Sequence, residues 1–102
     1  MEDARLFPRR NPRVAARTID GEAVIVSPEN AMLHTLNGTG TLIWELADGR
    51  ADLDAIARRL AQVFEVTPED ARRDAAAFCR ELVEKRLLEL TDRPTGPGGG
   101  PR

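Results

Sequence analysis

The chain has 102 residues with 15 lysines and arginines against 17 aspartates and glutamates, a formal charge of -2. A length of this order holds one domain of about 80 residues and one modest core, which leaves no room for a large buried active site. The near balance of charge excludes a general attraction to nucleic acid or to anionic membranes, so any electrostatic recognition is local. The single cysteine, Cys79, cannot close an internal disulfide, and MEDARLFPRR has no apolar run of the signal-peptide kind. The expected location is therefore a reducing cytoplasm. No run approaches the roughly 20 apolar residues of a membrane span.

In chain order, residues 1–12 contain Pro8, Pro12 and the arginines Arg9 and Arg10 with little to bury, and read as a flexible N-terminal arm. Val14 to Ile19 alternates weakly, Ala23-Val24-Ile25-Val26 is an apolar run, and Asp20-Gly21 between them suits the positive-φ geometry of a two-residue hairpin turn. Ser27-Pro28-Glu29-Asn30 is a second turn, so Ala31 to Leu36 follows as the third strand of an antiparallel meander. In that order the first and third strands are edges. Asn37 caps a short helix carrying Leu42, Ile43, Trp44 and Leu46, with Gly38 and Gly40 expected to permit a sharp turn into it.

Asp48-Gly49 ends that helix, and Asp52 caps a second whose apolar positions Leu53, Ile56, Ala57, Leu60 and Phe64 recur at helical spacing. Thr67-Pro68-Glu69-Asp70 opens a third helix with a capping hydroxyl, a proline at its first position and acids in its first turn. That helix is expected to run to about Arg86. Leu87 to Leu90 is an apolar end piece free to pair or pack, and TDRPTGPGGGPR, residues 91–102, has the composition of a disordered tail. The domain proper is then residues 13–90. Its fold class is α+β: a winged-helix-like arrangement of a three-stranded antiparallel meander followed by three helices.

On a helical wheel Ala71, Ala75, Phe78 and Leu82 form the core-facing centre of the third helix, and Arg72, Ala76, Cys79 and Val83 extend one flank. An uncovered third strand is a template for an added peptide strand. The expected peptide site therefore joins Ala31, Met32, Leu33, His34, Thr35 and Leu36 to Arg72, Ala76, Cys79, Arg80 and Val83, with Arg72, Arg80 and Arg86 placed to pair with acidic residues of the ligand. The alternative is that Ala76 and Val83 only widen the core-facing surface and that Cys79 is a small core residue. The same edge can pair with a second copy of the chain, giving a homodimer through the third strand.

Catalytic chemistry is thin. One histidine, His34, and one cysteine do not make a metal site of the usual ligand count, no base accompanies Cys79, and Gly38-Thr39-Gly40 lacks the further glycine and lysine of a phosphate loop. No catalytic residue, metal or cofactor is expected.

The segment LNGTGTLIWELADG, Leu36 to Gly49, with the hairpin before it and VFEVTPEDA and DAAAFCRELVEKRLLE after it, resembles the PqqD-like family across Pro12 to Leu90. That resemblance implies a non-enzymatic peptide chaperone, a recognition element for ribosomally made and modified peptides. Such a domain holds the leader segment of the precursor as a strand added beside the third strand, in a groove with the third helix, and presents it to a modifying enzyme, commonly a radical-SAM maturase. Pyrroloquinoline quinone biosynthesis is one pathway served by such domains. The competing reading is a winged-helix DNA-binding regulator, with Arg72, Arg73, Arg80, Lys85 and Arg86 meeting phosphates. Acids interrupt that helix at Glu69, Asp70, Asp74, Glu81 and Glu84, so binding to nucleic acid is not expected.

Overall fold

The computed structural model describes residues 5–94. Its elements are β1 (Phe7–Arg10), β2 (Ala15–Ile19), β3 (Glu22–Val26), β4 (Leu33–Thr35), α1 (Gly38–Leu46), α2 (Leu53–Val63), α3 (Pro68–Glu84) and β5 (Leu88–Thr91). The expected meander is β2-β3-β4, antiparallel and in that spatial order. Asp20 and Gly21 take φ of 53° and 82°, and Ile19 faces Glu22 across them, which is the tight hairpin that Asp-Gly favours. The third strand is shorter than expected. Ala31 has a φ of 58° and Met32 takes the Asn30 side chain for its N–H, so regular pairing begins only at Leu33.

All three helices start where a side chain satisfies a free N–H of the first turn. Asn37 Oδ1 accepts from Gly40 N at 2.8 Å, Asp52 Oδ1 from Ala55 N at 2.8 Å, and Thr67 Oγ1 from Asp70 N at 3.1 Å. The glycine turn before α1 is a correction. Gly38 and Gly40 lie inside the helix and neither has a positive φ. Gly40 answers a different need, since a Cβ there would stand 2.9 Å from the Phe78 ring.

A second correction concerns the N-terminal arm. Phe7–Arg10 is a strand, paired antiparallel with β5 from Phe7↔Thr91 to Arg10↔Leu88. Its other side is also bonded, Arg10 N donating to Ala47 O and Gly49 N to Pro8 O. Phe7 and Pro8 are buried, and Arg10 Nη1 closes the end of α1 by donating to the carbonyls of Trp44 and Glu45 at 2.8 and 2.9 Å. Regular elements among the described residues thus extend from Phe7 to Thr91, beyond the expected 13–90. Residues 95–102 of the expected tail lie outside the described residues.

The core lies between the inner face of the meander and the helices. Ala23, Ile25 and Leu36 from the sheet meet Ile43 and Trp44 of α1, Ile56 and Leu60 of α2, and Ala71, Ala75, Cys79 and Leu82 of α3. Leu87 and Leu88 close it from the β5 side. Small alanines on α3 let it lie close to α2, as the ridges of one helix fit the grooves of the other. Among the described residues no element covers the opposite face of the meander, and Ile19 and Leu33 there are 51% and 65% exposed.

Candidate functional site

The register of the meander decides which groups β4 leaves free. Leu36 N donates to Ala23 O and Ser27 N to Met32 O, each at 2.9 Å, and these residues face each other directly. Hydrogen-bonded pairs alternate along an antiparallel ladder, so the pair between them, Ile25↔His34, is also bonded. Met32, His34 and Leu36 are therefore turned to β3. Leu33 and Thr35 turn their N–H and C=O to the open side.

That open side adjoins a groove of about 330 Å³ between β4 and α3, lined by His34, Thr35, Leu36 and Asn37 on one wall and Phe78, Glu81, Leu82 and Lys85 on the other. Phe78 is held at one end by its close approach to Gly40. Past Lys85, Arg86 Nη1 reaches Glu29 in the turn before β4 at 2.8 Å. Along the wall Lys85 Nζ and Glu81 Oε2 lie 3.0 Å apart, an exposed pair of opposite charges one helical turn apart. The site is thus a row of free backbone donors and acceptors above one aromatic ring and charges of both signs. It can pair an extended chain and seat an apolar side chain.

Of the expected residues, Leu33, His34, Thr35 and Leu36 border the free edge or the groove, and Ala31 and Met32 lie in the approach to it. The expected helix flank does not. Ala76 and Cys79 are buried in the core, Val83 is half-buried, and Arg72 Nε is bonded to Asp54 of α2. That flank covers α2, whereas the wall of the groove is the flank with Glu81 and Lys85. Arg80, exposed, lies 100° on the wheel from Glu81 and nearly opposite Phe78, away from the groove. Burial holds the Cys79 thiol in its neutral form, its pKa pushed up to about 12. Phe78, Glu81 and Lys85 were missed as groove residues; Gly40, where a Cβ would meet the Phe78 ring, bears on Phe78 alone, and no local signal marks Glu81 and Lys85.

The cations proposed for DNA contact are largely engaged. Arg72 is paired with Asp54, Arg73 with Asp70, Lys85 with Glu81 and Arg86 with Glu29, which leaves Arg80 without an ion pair among the described residues. No group of three or more histidines, cysteines or carboxylates able to hold a metal occurs among the described residues. No helix among them is long and apolar enough to cross a membrane.

Comparison with known proteins agrees with this geometry. The sequence profile of the family described as coenzyme PQQ synthesis protein D (PqqD) matches residues 22–88. The PqqA binding protein of Rhizobium meliloti (strain 1021) is 31% identical over 81 residues, 79% of this chain and 81% of that protein. Among solved structures, TbiB1 in complex with the TbiA(beta) leader peptide superposes with a TM-score of 0.73 at 26% identity, over 79% of this chain and 94% of that one. The PqqD part of Methylobacterium extorquens PqqCD, solved as a stand-alone recognition element for ribosomally synthesised and modified peptides, gives 0.63 at 27% identity, over 80% and 87%. From β3 through α3 to the start of β5, and by its identity to a protein that binds PqqA, this chain belongs to the PqqD family.

Proposed function

We propose that this protein is a non-catalytic recognition domain that takes the leader segment of a ribosomally made precursor peptide as a fourth strand on β4 and presents it to a modifying enzyme. The observation that carries this reading is the open edge of β4, with the Leu33 and Thr35 backbone groups free above a groove walled by Phe78. A strand added there directs alternate side chains into the groove, so the backbone supplies affinity and the residue seated against Phe78 supplies selection. The Rhizobium relative is named for binding PqqA and TbiB1 is seen with a leader peptide, so a PqqA-type precursor is the first ligand to try. The family resemblance makes a radical-SAM maturase the first recipient to try. The groove wall carries both signs of charge, Glu81 and Lys85, so it can meet basic as well as acidic residues of a leader, where Arg72, Arg80 and Arg86 were expected to meet acidic ones.

The test mixes the purified protein with the leader of a PqqA-type precursor, and reads binding by calorimetry and the peptide by mass spectrometry. Heat of binding with an unchanged peptide mass is expected. A mass change without any second protein would contradict a non-catalytic role, and no binding would remove the leader as ligand.

A further inference from the structure

The other edge of the meander, β2, is as open as β4 and has a groove of its own. The two-residue turn makes Ile19↔Glu22 a hydrogen-bonded pair, so Arg17↔Val24 and Ala15↔Val26 are bonded as well. Ala16 and Thr18 therefore turn their N–H and C=O outward. The ladder on the far side of β3 agrees, because there Ala23 and Ile25 serve β4, leaving Glu22, Val24 and Val26 for β2. All five β2 residues are exposed, the pairing has no bulge, and no proline interrupts it.

A cavity of about 440 Å³ between β1 and the end of α1 runs on into one of about 300 Å³ along β2, and the two share Arg10, Ala16 and Trp44. Neither shares a residue with the groove beside β4. Ala16 and Thr18 are small, which leaves space above Trp44 for the side chains of an incoming strand that point the same way. The residue opposite Arg17 would lie against that guanidinium, which is exposed and has no hydrogen-bond or ion-pair partner among the described residues. A carboxylate there adds ion pairing and a two-pronged hydrogen bond to that guanidinium, which a neutral acceptor does not match.

From this arrangement we propose that β2 is a second strand-addition site, and that it takes an extended acidic segment of the enzyme that modifies the peptide. The proposal rests on the leader occupying β4. With β3 between them the two edges bond in opposite directions, so leader and enzyme segment fit at the same time and form one continuous five-stranded sheet. The domain then bridges peptide and enzyme through backbone pairing on both sides. A second copy of this chain suits β2 poorly, because a twofold pairing centred on the strand sets Arg17 against Arg17.

Amide signals of the full chain, followed by NMR with its leader peptide present, test this. The probes are a synthetic peptide alternating threonine with glutamate, its threonine–lysine counterpart, and a radical-SAM enzyme that modifies a PqqA-type precursor. The acidic peptide and the enzyme are expected to move the Ala16, Arg17 and Thr18 signals and spare Leu33 and Thr35, with the lysine peptide roughly tenfold weaker. Arg17→Glu should reverse the order of the two peptides while leader affinity holds. Equal response to both peptides, or an enzyme that leaves the β2 amides unmoved, would overturn the proposal. The leader's own effect on Leu33 and Thr35 is read in the same samples, so loss of the β4 reading would show separately.

Discussion

Thr41 is buried, and its hydroxyl joins α1 to both inner strands: Oγ1 accepts from Ala23 N at 2.8 Å and donates to Leu36 O at 3.3 Å. The Ala23 N–H points toward β4 at a level where β4 has already ended, so without this hydroxyl it is a buried donor with no partner. Thr41→Val keeps the shape and is expected to lower unfolding stability by about 1–3 kcal/mol, with Thr41→Ser retaining most of it, as measured by denaturant titration. Asp52 carries a pH dependence. Burial raises its carboxyl pKa, but the Ala55 N–H and the Arg5 guanidinium outweigh that, and the net value lies below the ordinary 3.8. The unfolded carboxyl takes up its proton near 3.8 while the folded one resists it, so protonation favours unfolding. This contribution is complete above 3.8 and is lost as the pH falls through the folded value. Asp52→Asn keeps a capping oxygen but cannot titrate, so its melting temperature should fall less steeply than the parent's in acid.

At the scale of elements, what local chemistry dictates was legible and what distant partners dictate was not. Asp20-Gly21, Asn37, Asp52 and Thr67-Pro68 act on their own neighbours, and each stands where its side chain or φ requires. β1 and β5 pair across most of the chain, and Pro8-Arg9-Arg10 has neither the periodicity nor the composition of a strand. Pro8 is tolerated because what its carbonyl accepts, Gly49 N at 2.9 Å, needs no donor from the proline itself. The groove side of α3 was misread for a related reason. A wheel shows two flanks beside the core-facing line, but only the position of α2 decides that Arg72, Ala76 and Cys79 are covered and that Glu81 and Lys85 border the site. The structural status of β1 has a direct consequence: Phe7→Ala, at a residue 3% exposed, is expected to cost about 3–5 kcal/mol in chemical unfolding. A flexible arm would show almost no change.

At the scale of the fold, the core fastens the five strands and three helices of the described residues so that β3 is fully paired and, among those residues, both outer edges of the meander stay free. Such edges are ordinarily a hazard, since they invite uncontrolled pairing. Here each stands beside a groove that gives side chains of an added strand something to contact. At the β4 edge the ladder gives proline substitutions opposite outcomes at adjacent residues. Proline removes the N–H. Leu33→Pro and Thr35→Pro lose only a donor facing the open side, whereas His34→Pro breaks the bond to Ile25. The most direct measurement is leader affinity by calorimetry together with melting temperature for these three variants. Leu33→Pro and Thr35→Pro should lose leader binding by tenfold or more, about 1.4 kcal/mol, with little change in melting, and His34→Pro should lose melting temperature first. Full affinity retained in Leu33→Pro and Thr35→Pro, with both variants folded, would contradict strand addition at β4.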